Sequence, residues 1–391
     1  MVQTGLEFFL STAYKKYRGQ RLGVLCNQAS VDRNLRHISE LILNKKLGLN
    51  VTCFVGPQHG IRGEKQDNMV ESQDFVDSIT RLPVFSLYGS SRVPTMDLLH
   101  KIDTFVVDLQ DIGSRVYTFM YTLANTMRAA KEHGKKVVVL DRPNPVGGNL
   151  IEGNVLEQEF ASFVGQFPIC VRHGLTMGEI ANLFNEAFNI GCDLEVVPLK
   201  GWKRENYGDS WGRDWVPPSP NIPNLTSAII FSGMVFFEGT NISEGRGTTR
   251  PFEWIGAPYV QPDRLAKEMN QLKLPGVYFR PIFFQPSYQK HKDTICGGVQ
   301  IHVSQRKTFN AFRTGLYLLE RIATMHPGDF QWKKPPYEYE YDRMPIDLIA
   351  GTAKIREAID QGKGVREIEK EFSQQLKVFA KVRKQYLLYG K

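Results

Sequence analysis

Within the first 150 residues, apolar runs of strand length alternate with segments of helical periodicity, and several of the runs open into dense polar clusters. The runs at 21–26, 51–55, 83–87, 105–109 and 137–140 read as strands. Between them, 34–46 carries Leu35, Ile38, Leu41 and Ile42 on one helical face, 95–100 makes a short helix, and 117–133 makes a longer one ended by Gly134. Strand, helix, strand repeated in this way implies an α/β fold: a Rossmann-like, mostly parallel sheet with helices on both faces. In such a sheet the carboxyl ends of the strands share one edge, and ligands bind in the crevice there. The run at 51–55 opens into Gly56-Pro57-Gln58-His59-Gly60. The run at 105–109 carries Asp108 and opens into Gln110-Asp111-Ile112-Gly113-Ser114-Arg115, and that at 137–140 opens into Asp141-Arg142-Pro143-Asn144-Pro145. Three distant segments are therefore expected to converge on one polar pocket.

A chain of 391 residues exceeds what one hydrophobic core usually serves. Two domains are expected: a Rossmann-like catalytic domain over 1–225 and a smaller α+β domain over 226–391, with the active-site cleft between them. The stretch 60–82, with Arg62, Glu64, Asp67, Asn68, Glu71 and Asp74, is too long for a routine connection and is expected to act as a lid. A helix is predicted over 176–188, where Thr176 with Glu179 three residues on gives Glu179 a structural role in a capping box. A strand follows at 194–199. Four prolines within 217–223 make a rigid connection and the expected hinge. Beyond it come an apolar run at 229–237, a glycine-rich polar stretch at 238–250, strands at 277–284 and 299–303, and helices at 263–272, 309–325 and 372–388.

Composition narrows the function. No apolar run approaches the roughly 20 residues that cross a bilayer, so no membrane span is expected. The first 18 residues lack the pattern of an export signal. That implies a cytoplasmic location for the chain as it stands, and a periplasmic or secreted one for a form bearing such a signal. Five widely spaced cysteines argue for buried thiols rather than a disulfide framework. The formal charge of +8 is spread along the chain without a basic stripe interleaved with aromatics, which speaks against nucleic acid and is compatible with an anionic small substrate. Glu244-Gly245-Arg246-Gly247 is not a dinucleotide fingerprint, and no phosphate-loop lysine, paired metal-binding histidines or serine elbow occurs. Neither a cofactor nor a metal is expected, and Ser219 between two prolines reads as structural.

Carboxylates, amides and arginines remain. Breaking a glycosidic bond commonly takes one carboxylic acid to protonate the leaving oxygen and a second group to stabilise the oxocarbenium-like centre. Glu64, Glu71, Asp108, Asp111, Glu238 and Glu244 are the candidates. Asp111 equally suits a loop cap, Asp141 an ion pair with Arg142 or Arg115, Glu71 a solvated loop charge, and Glu238 and Glu244 a structural turn. These residue types narrow the choice without making it.

The motifs themselves are long. Gly56-Pro57-Gln58-His59-Gly60-Ile61-Arg62-Gly63, Asp108 through Thr118, Leu140 through Gly148, Arg172-His173-Gly174-Leu175-Thr176, Pro218-Ser219-Pro220-Asn221 and Glu238 through Thr249 together resemble the exo-β-N-acetylmuramidase (NamZ) family across nearly the whole chain. The resemblance implies an interdomain active site that removes N-acetylmuramic acid from the non-reducing end of peptidoglycan fragments, so the partner is a peptidoglycan-derived amino sugar. One departure stands out. Many members read Gly-Pro-Glu-His-Gly where this chain has Gln58, and an amide cannot act as a general acid. Glu64 or Glu71 is then expected to supply the proton, with His59 holding that acid and Gln58 orienting the substrate's 2-acetamido group. The alternatives are a protein that acts on another amino sugar and one that binds amino sugars or muropeptides without cleaving them. The lactyl carboxylate calls for a donor fork from Arg115, Arg142 or Arg246. Asn144, Asn221 and Asn241 are expected to meet sugar hydroxyls, Tyr117 or Trp211 to stack on the ring, and Arg62, Asp111, Asp141, Glu238 and Glu244 to complete the substrate contacts.

Overall fold

All five residues of Thr104–Asp108 are buried, as a strand covered by helices on both faces requires. In the computed structural model, which describes residues 2–67 and 70–390, this segment is an interior strand of a seven-stranded sheet. The strands in chain order are β1 (Arg21–Cys26), β2 (Asn50–Gly56), β3 (Phe75–Val76), β4 (Pro83–Ser86), β5 (Thr104–Asp108), β6 (Lys136–Leu140), β7 (Glu152–Val155), β8 (Cys170–Arg172), β9 (Asp193–Val197), β10 (Trp254–Ala257), β11 (Val277–Phe284) and β12 (Cys296–Val303). The large sheet runs β3-β4-β2-β1-β5-β6-β9 and is parallel except for the antiparallel edge pair β3/β4. A three-stranded antiparallel sheet, β10-β12-β11, lies in the C-terminal part, and β7/β8 form a separate antiparallel pair. The result is the α/β class expected, with a smaller unit that carries its own antiparallel sheet.

Side chains alternate across the large sheet with a period of two. Val106 and Val138 join Leu6, Phe9, Leu22 and Phe54 on one face. Phe105, Val107, Val137 and Val139 join a cluster on the other that continues without a break into the C-terminal part. In that continuation the backbones of helices Leu225–Met234 and Ala311–Met325 approach closely. A Cβ on Gly233 would meet the Ala311 carbonyl oxygen at 1.8 Å, and one on Gly315 would meet the Gly233 carbonyl oxygen at 2.3 Å. Two glycines here permit a contact that alanine would block.

Several expectations change at element level. The helix expected over 34–46 is reduced to Ile38–Leu41 and a turn at Lys45–Leu47. The Asp32 carboxylate accepts from the Asn34 and Arg36 amides, each at 2.9 Å, which holds the chain in a loop; Leu35 sits at φ 61° and is exposed. Local capping chemistry thus overrides a helical pattern. The capping box at Thr176 and Glu179 forms as read. The last helix is longer than expected, Val365–Gln385. The short β7/β8 pair, β10 and the helices Pro345–Ala350 and Lys354–Asp360 were not anticipated. Asn68 and Met69 of the expected lid lie outside the described residues.

Candidate active site

Where β2 ends, the chain makes a tight turn in which His59 and Gly60 both take left-handed conformations, φ 73° and 81°. A non-glycine residue there is uncommon and marks a held geometry. The turn buries Gln58 and His59. His59 Nδ1 lies 2.6 Å from the Lys65 carbonyl oxygen, which can only accept, so this nitrogen carries the proton and Nε2 is left as an acceptor. Burial lowers the His59 pKa to about 4, and the imidazole is neutral at ordinary pH.

Gln58 is fixed from both ends of its amide. Thr118 stands at the N-terminus of helix Phe119–Glu132, yet its hydroxyl does not cap that helix. It donates instead to Gln58 Oε1 at 2.7 Å. Gln58 Nε2 donates to the Tyr88 hydroxyl at 3.1 Å and approaches Glu338 Oε1 at 3.5 Å, while the Tyr88 hydroxyl donates to Glu338 Oε2 at 2.7 Å. Glu338 and Tyr339 are themselves left-handed, φ 46° and 69°. Held conformations therefore face each other across the same space.

The second carboxylate group comes from the glycine-rich stretch. Glu238 accepts from Arg246 Nη2 at 2.6 Å and from the Tyr337 hydroxyl at 2.8 Å. Glu244 pairs with Lys290 at 2.8 Å and with Arg246 at 3.3 Å. Lys290 also donates to the carbonyls of Phe237 and Ile242. Gln58, His59, Tyr117, Thr118, Ser219, Asn221, Glu238, Arg246, Tyr337 and Glu338 line one hollow, floored by Val116, Phe119, Phe231 and Phe252. Its walls come from the carboxyl edge of the parallel sheet on one side and from the C-terminal part on the other.

Environment separates the carboxyls. Burial raises the pKa of Glu338 against the Tyr88 hydrogen bond, and the nearby Glu238 charge raises it further. Burial also works against the charge on Glu244, but Lys290 and Arg246 outweigh it and hold this carboxyl below its usual range. Burial opposes the Arg246 charge too, and Glu238 and Glu244 more than restore it. A carboxyl pushed toward its protonated form thus shares the hollow with a carboxylate anchored to a cation, the arrangement that suits acid and counter-charge roles.

Of the residues singled out in the sequence, the hollow brings together Gln58, His59, Tyr117, Asn221, Glu238 and Arg246, with Glu244 behind Arg246. Others are engaged elsewhere. Arg115 is fully buried, and its guanidinium donates to the carbonyls of Asn154, Ile169, Ile349 and Ala350, leaving no fork for a ligand. Arg142 grips Asp108 with two bonds, one of 2.8 Å from Nη2 to Oδ2. It lines a separate hollow with Arg33, Trp211 and Arg213. Asp141 accepts from the Arg142 and Gly178 amides and from the Thr176 and Tyr389 hydroxyls, so its partners are not the expected arginine side chains. Asp111 takes the Gly113 amide at 2.6 Å, as a loop cap does. Asn144 bonds the Leu175 carbonyl and the Val146 amide. Asn241 bonds the Asp329 carbonyl, the Tyr259 hydroxyl and the Gln331 amide. Arg62 pairs with Asp77. Glu64 is exposed, with its carboxylate against Gly60, and Glu71 is exposed and accepts from the Tyr339 hydroxyl at 2.9 Å. Sequence reasoning did not find Glu338, Tyr337 or Tyr88. The signal available was the repeated tyrosine and glutamate of 337–341 directly after two prolines. Among the described residues no group of three metal-ligating side chains is assembled, and no helix is long and apolar enough to cross a membrane.

Residues 22–226 match the family described as exo-beta-N-acetylmuramidase NamZ, N-terminal, and residues 229–389 match its C-terminal counterpart. The peptidoglycan beta-N-acetylmuramidase NamZ of Bacillus subtilis (strain 168) is 43% identical over 388 residues, which is 99% of this chain and 91% of that protein. Two solved DUF1343 family proteins from Bacteroides fragilis NCTC 9343 share the fold. One has a TM-score of 0.90 at 35% identity and the other 0.77 at 27%, each alignment covering 100% of this chain and 99% of the other.

Proposed function

The chain belongs to the exo-beta-N-acetylmuramidase NamZ family, and from that membership we propose that it is a glycosidase removing N-acetylmuramic acid from the non-reducing end of peptidoglycan fragments. The observation that carries the chemistry is the presence of a buried Glu338, whose pKa burial raises, and the Arg246-anchored Glu238 in one hollow. Glu338 takes the acid role in place of Glu64 or Glu71, because both of those are exposed and neither lines the hollow.

Glu338 transfers its proton to the glycosidic oxygen as the bond to the anomeric carbon breaks, and the aglycone leaves as an alcohol. The Glu238 carboxylate opposes the positive charge that develops on the sugar. Attack comes from the substrate's own 2-acetamido oxygen, followed by water, or from water directly. The water proton is accepted by the neutral Nε2 of His59. Gln58, locked by Thr118, directs its amide hydrogens to the Tyr88 hydroxyl and toward the acid, and so positions Glu338. A binding protein without turnover was suggested by Gln58 alone, and a second carboxyl beside it removes that reason. The test is to incubate the protein with a muramoyl-terminated peptidoglycan disaccharide and identify the products by mass spectrometry. Free N-acetylmuramic acid is expected, and an intact disaccharide would refute the assignment.

A further inference from the structure

Arg92 stands at the edge of the active site and forms no salt bridge among the described residues. Its guanidinium carbon lies 3.7 Å from the ring centre of Tyr339, 4.9 Å from that of Tyr88 and 5.1 Å from that of Phe163. Its buried Nε and Nη2 make no hydrogen bond of good geometry among the described residues, and its one polar neighbour there is the Tyr339 hydroxyl. Arg142, Arg172, Arg204 and Arg246 each pair with a carboxylate, and Arg115 gives both of its Nη atoms to backbone carbonyls, although Nε of Arg115, Arg172 and Arg246 makes no hydrogen bond among the described residues.

The cage is part of the catalytic wall. The Tyr88 hydroxyl donates to Glu338, Tyr339 follows Glu338 in the chain, and Phe163 precedes Val164, which lines the hollow. The Arg92 charge reaches Glu338 through space, opposing the rise in its pKa. Stacked aromatic faces hold a guanidinium in place while leaving its in-plane N–H groups free to bind. Buried donors left without an acceptor are costly and rare in native proteins, and at an active-site rim they point to a missing ligand group.

We propose that Arg92 is the carboxylate-binding residue of the substrate site, engaging an anionic group of the muramoyl substrate through the fork that Arg115 and Arg142 do not offer. This assignment rests on the muramidase reading given above. The carboxylate is that of the free lactyl ether or that of an attached peptide, since both present the same chemistry. Either way Arg92 separates muramoyl from glucosaminyl sugars, which carry no such group.

Calorimetric binding of three compounds to wild type, Arg92→Met and Arg92→Lys tests this: N-acetylmuramic acid, its lactyl methyl ester, and an N-acetylmuramoyl dipeptide with a free terminal carboxylate. Wild type is expected to prefer a carboxylate-bearing ligand over the ester by about tenfold or more, the scale of a charged hydrogen bond. Preference for the free acid identifies the lactyl group, and preference for the dipeptide identifies the peptide. Arg92→Met is expected to bring the preference to about 1 while ester binding is unchanged. Arg92→Lys, which keeps the charge but not the fork, is expected to retain part of it and serves if the methionine variant does not fold. A wild-type preference that survives in both variants overturns the assignment. Equal binding of acid and ester by a wild type that still cleaves an aryl muramide also overturns it, leaving the muramidase reading intact. Binding of none of the three removes both.

Discussion

Gln58 Nε2 stands 3.5 Å from Glu338 Oε1, although 280 positions of chain separate the two residues, and both bond the Tyr88 hydroxyl. An amide at this distance donates toward the acid without competing for its proton. Gln58→Glu would place a second carboxyl there, and two carboxyls in contact share a proton so that the upper pKa of the pair rises. The alkaline limb of the kcat/KM profile on an aryl muramide is expected to move up by about one unit or more. An unmoved limb would contradict the proximity of residue 58 to the acid.

The pH dependence of the wild type follows from two groups. Glu338 acts with its proton on, so activity is lost as pH rises through its raised pKa, above the usual carboxyl range. His59 acts neutral, with burial lowering its pKa to about 4, so activity is lost as pH falls through about 4. A bell between these limits is expected. Glu338→Gln should remove the alkaline limb from the residual activity and His59→Gln the acidic one.

Asp111 links pH to stability rather than to turnover. Burial raises its pKa to about 7, against an ordinary value of 3.8, with the Gly113 amide opposing. The folded state therefore keeps a proton that the unfolded chain gives up. The stabilisation is complete below about pH 4 and is lost as pH rises to about 7. Asp111→Asn can still accept from the Gly113 amide. Its Tm is expected to be flatter than the wild type's between pH 4 and 7, whereas parallel curves would count against the buried acid.

Arg115 crosses between the two parts of the molecule, from the carbonyls of Asn154 and Ile169 to those of Ile349 and Ala350. Arg115→Met leaves buried acceptors unpaired. It is expected to cost about 3 kcal/mol or more in urea denaturation, by analogy with other broken buried networks, without changing the preference for acid over ester ligands. A loss of that preference at unchanged stability would return Arg115 to the binding site.

The parallel sheet was legible because its strands are short apolar runs buried on both faces, and the polar turns after β2, β5 and β6 were legible because that edge must carry them. Their roles were not equally legible. An arginine beside an aspartate looks the same in sequence whether it serves a ligand or, like Arg142 with Asp108, ties two strand ends together. Asn144 and Asn241 likewise spend their amides on backbone groups that no pattern reveals. Glu338 was hidden for a different reason: its segment alternates tyrosine and glutamate as an edge strand would, and only the tertiary fold brings it to Gln58.

The central assignment is that Glu338 protonates the leaving group, and leaving-group dependence reads it most directly. A sugar alkoxide needs a proton to depart, whereas dinitrophenolate does not. Glu338→Gln is expected to lose about 10³-fold in kcat/KM on a muramoyl disaccharide, within the range for general-acid loss, and less than about tenfold on dinitrophenyl N-acetylmuramide. Equal losses on both substrates, or no loss on the disaccharide, would contradict it.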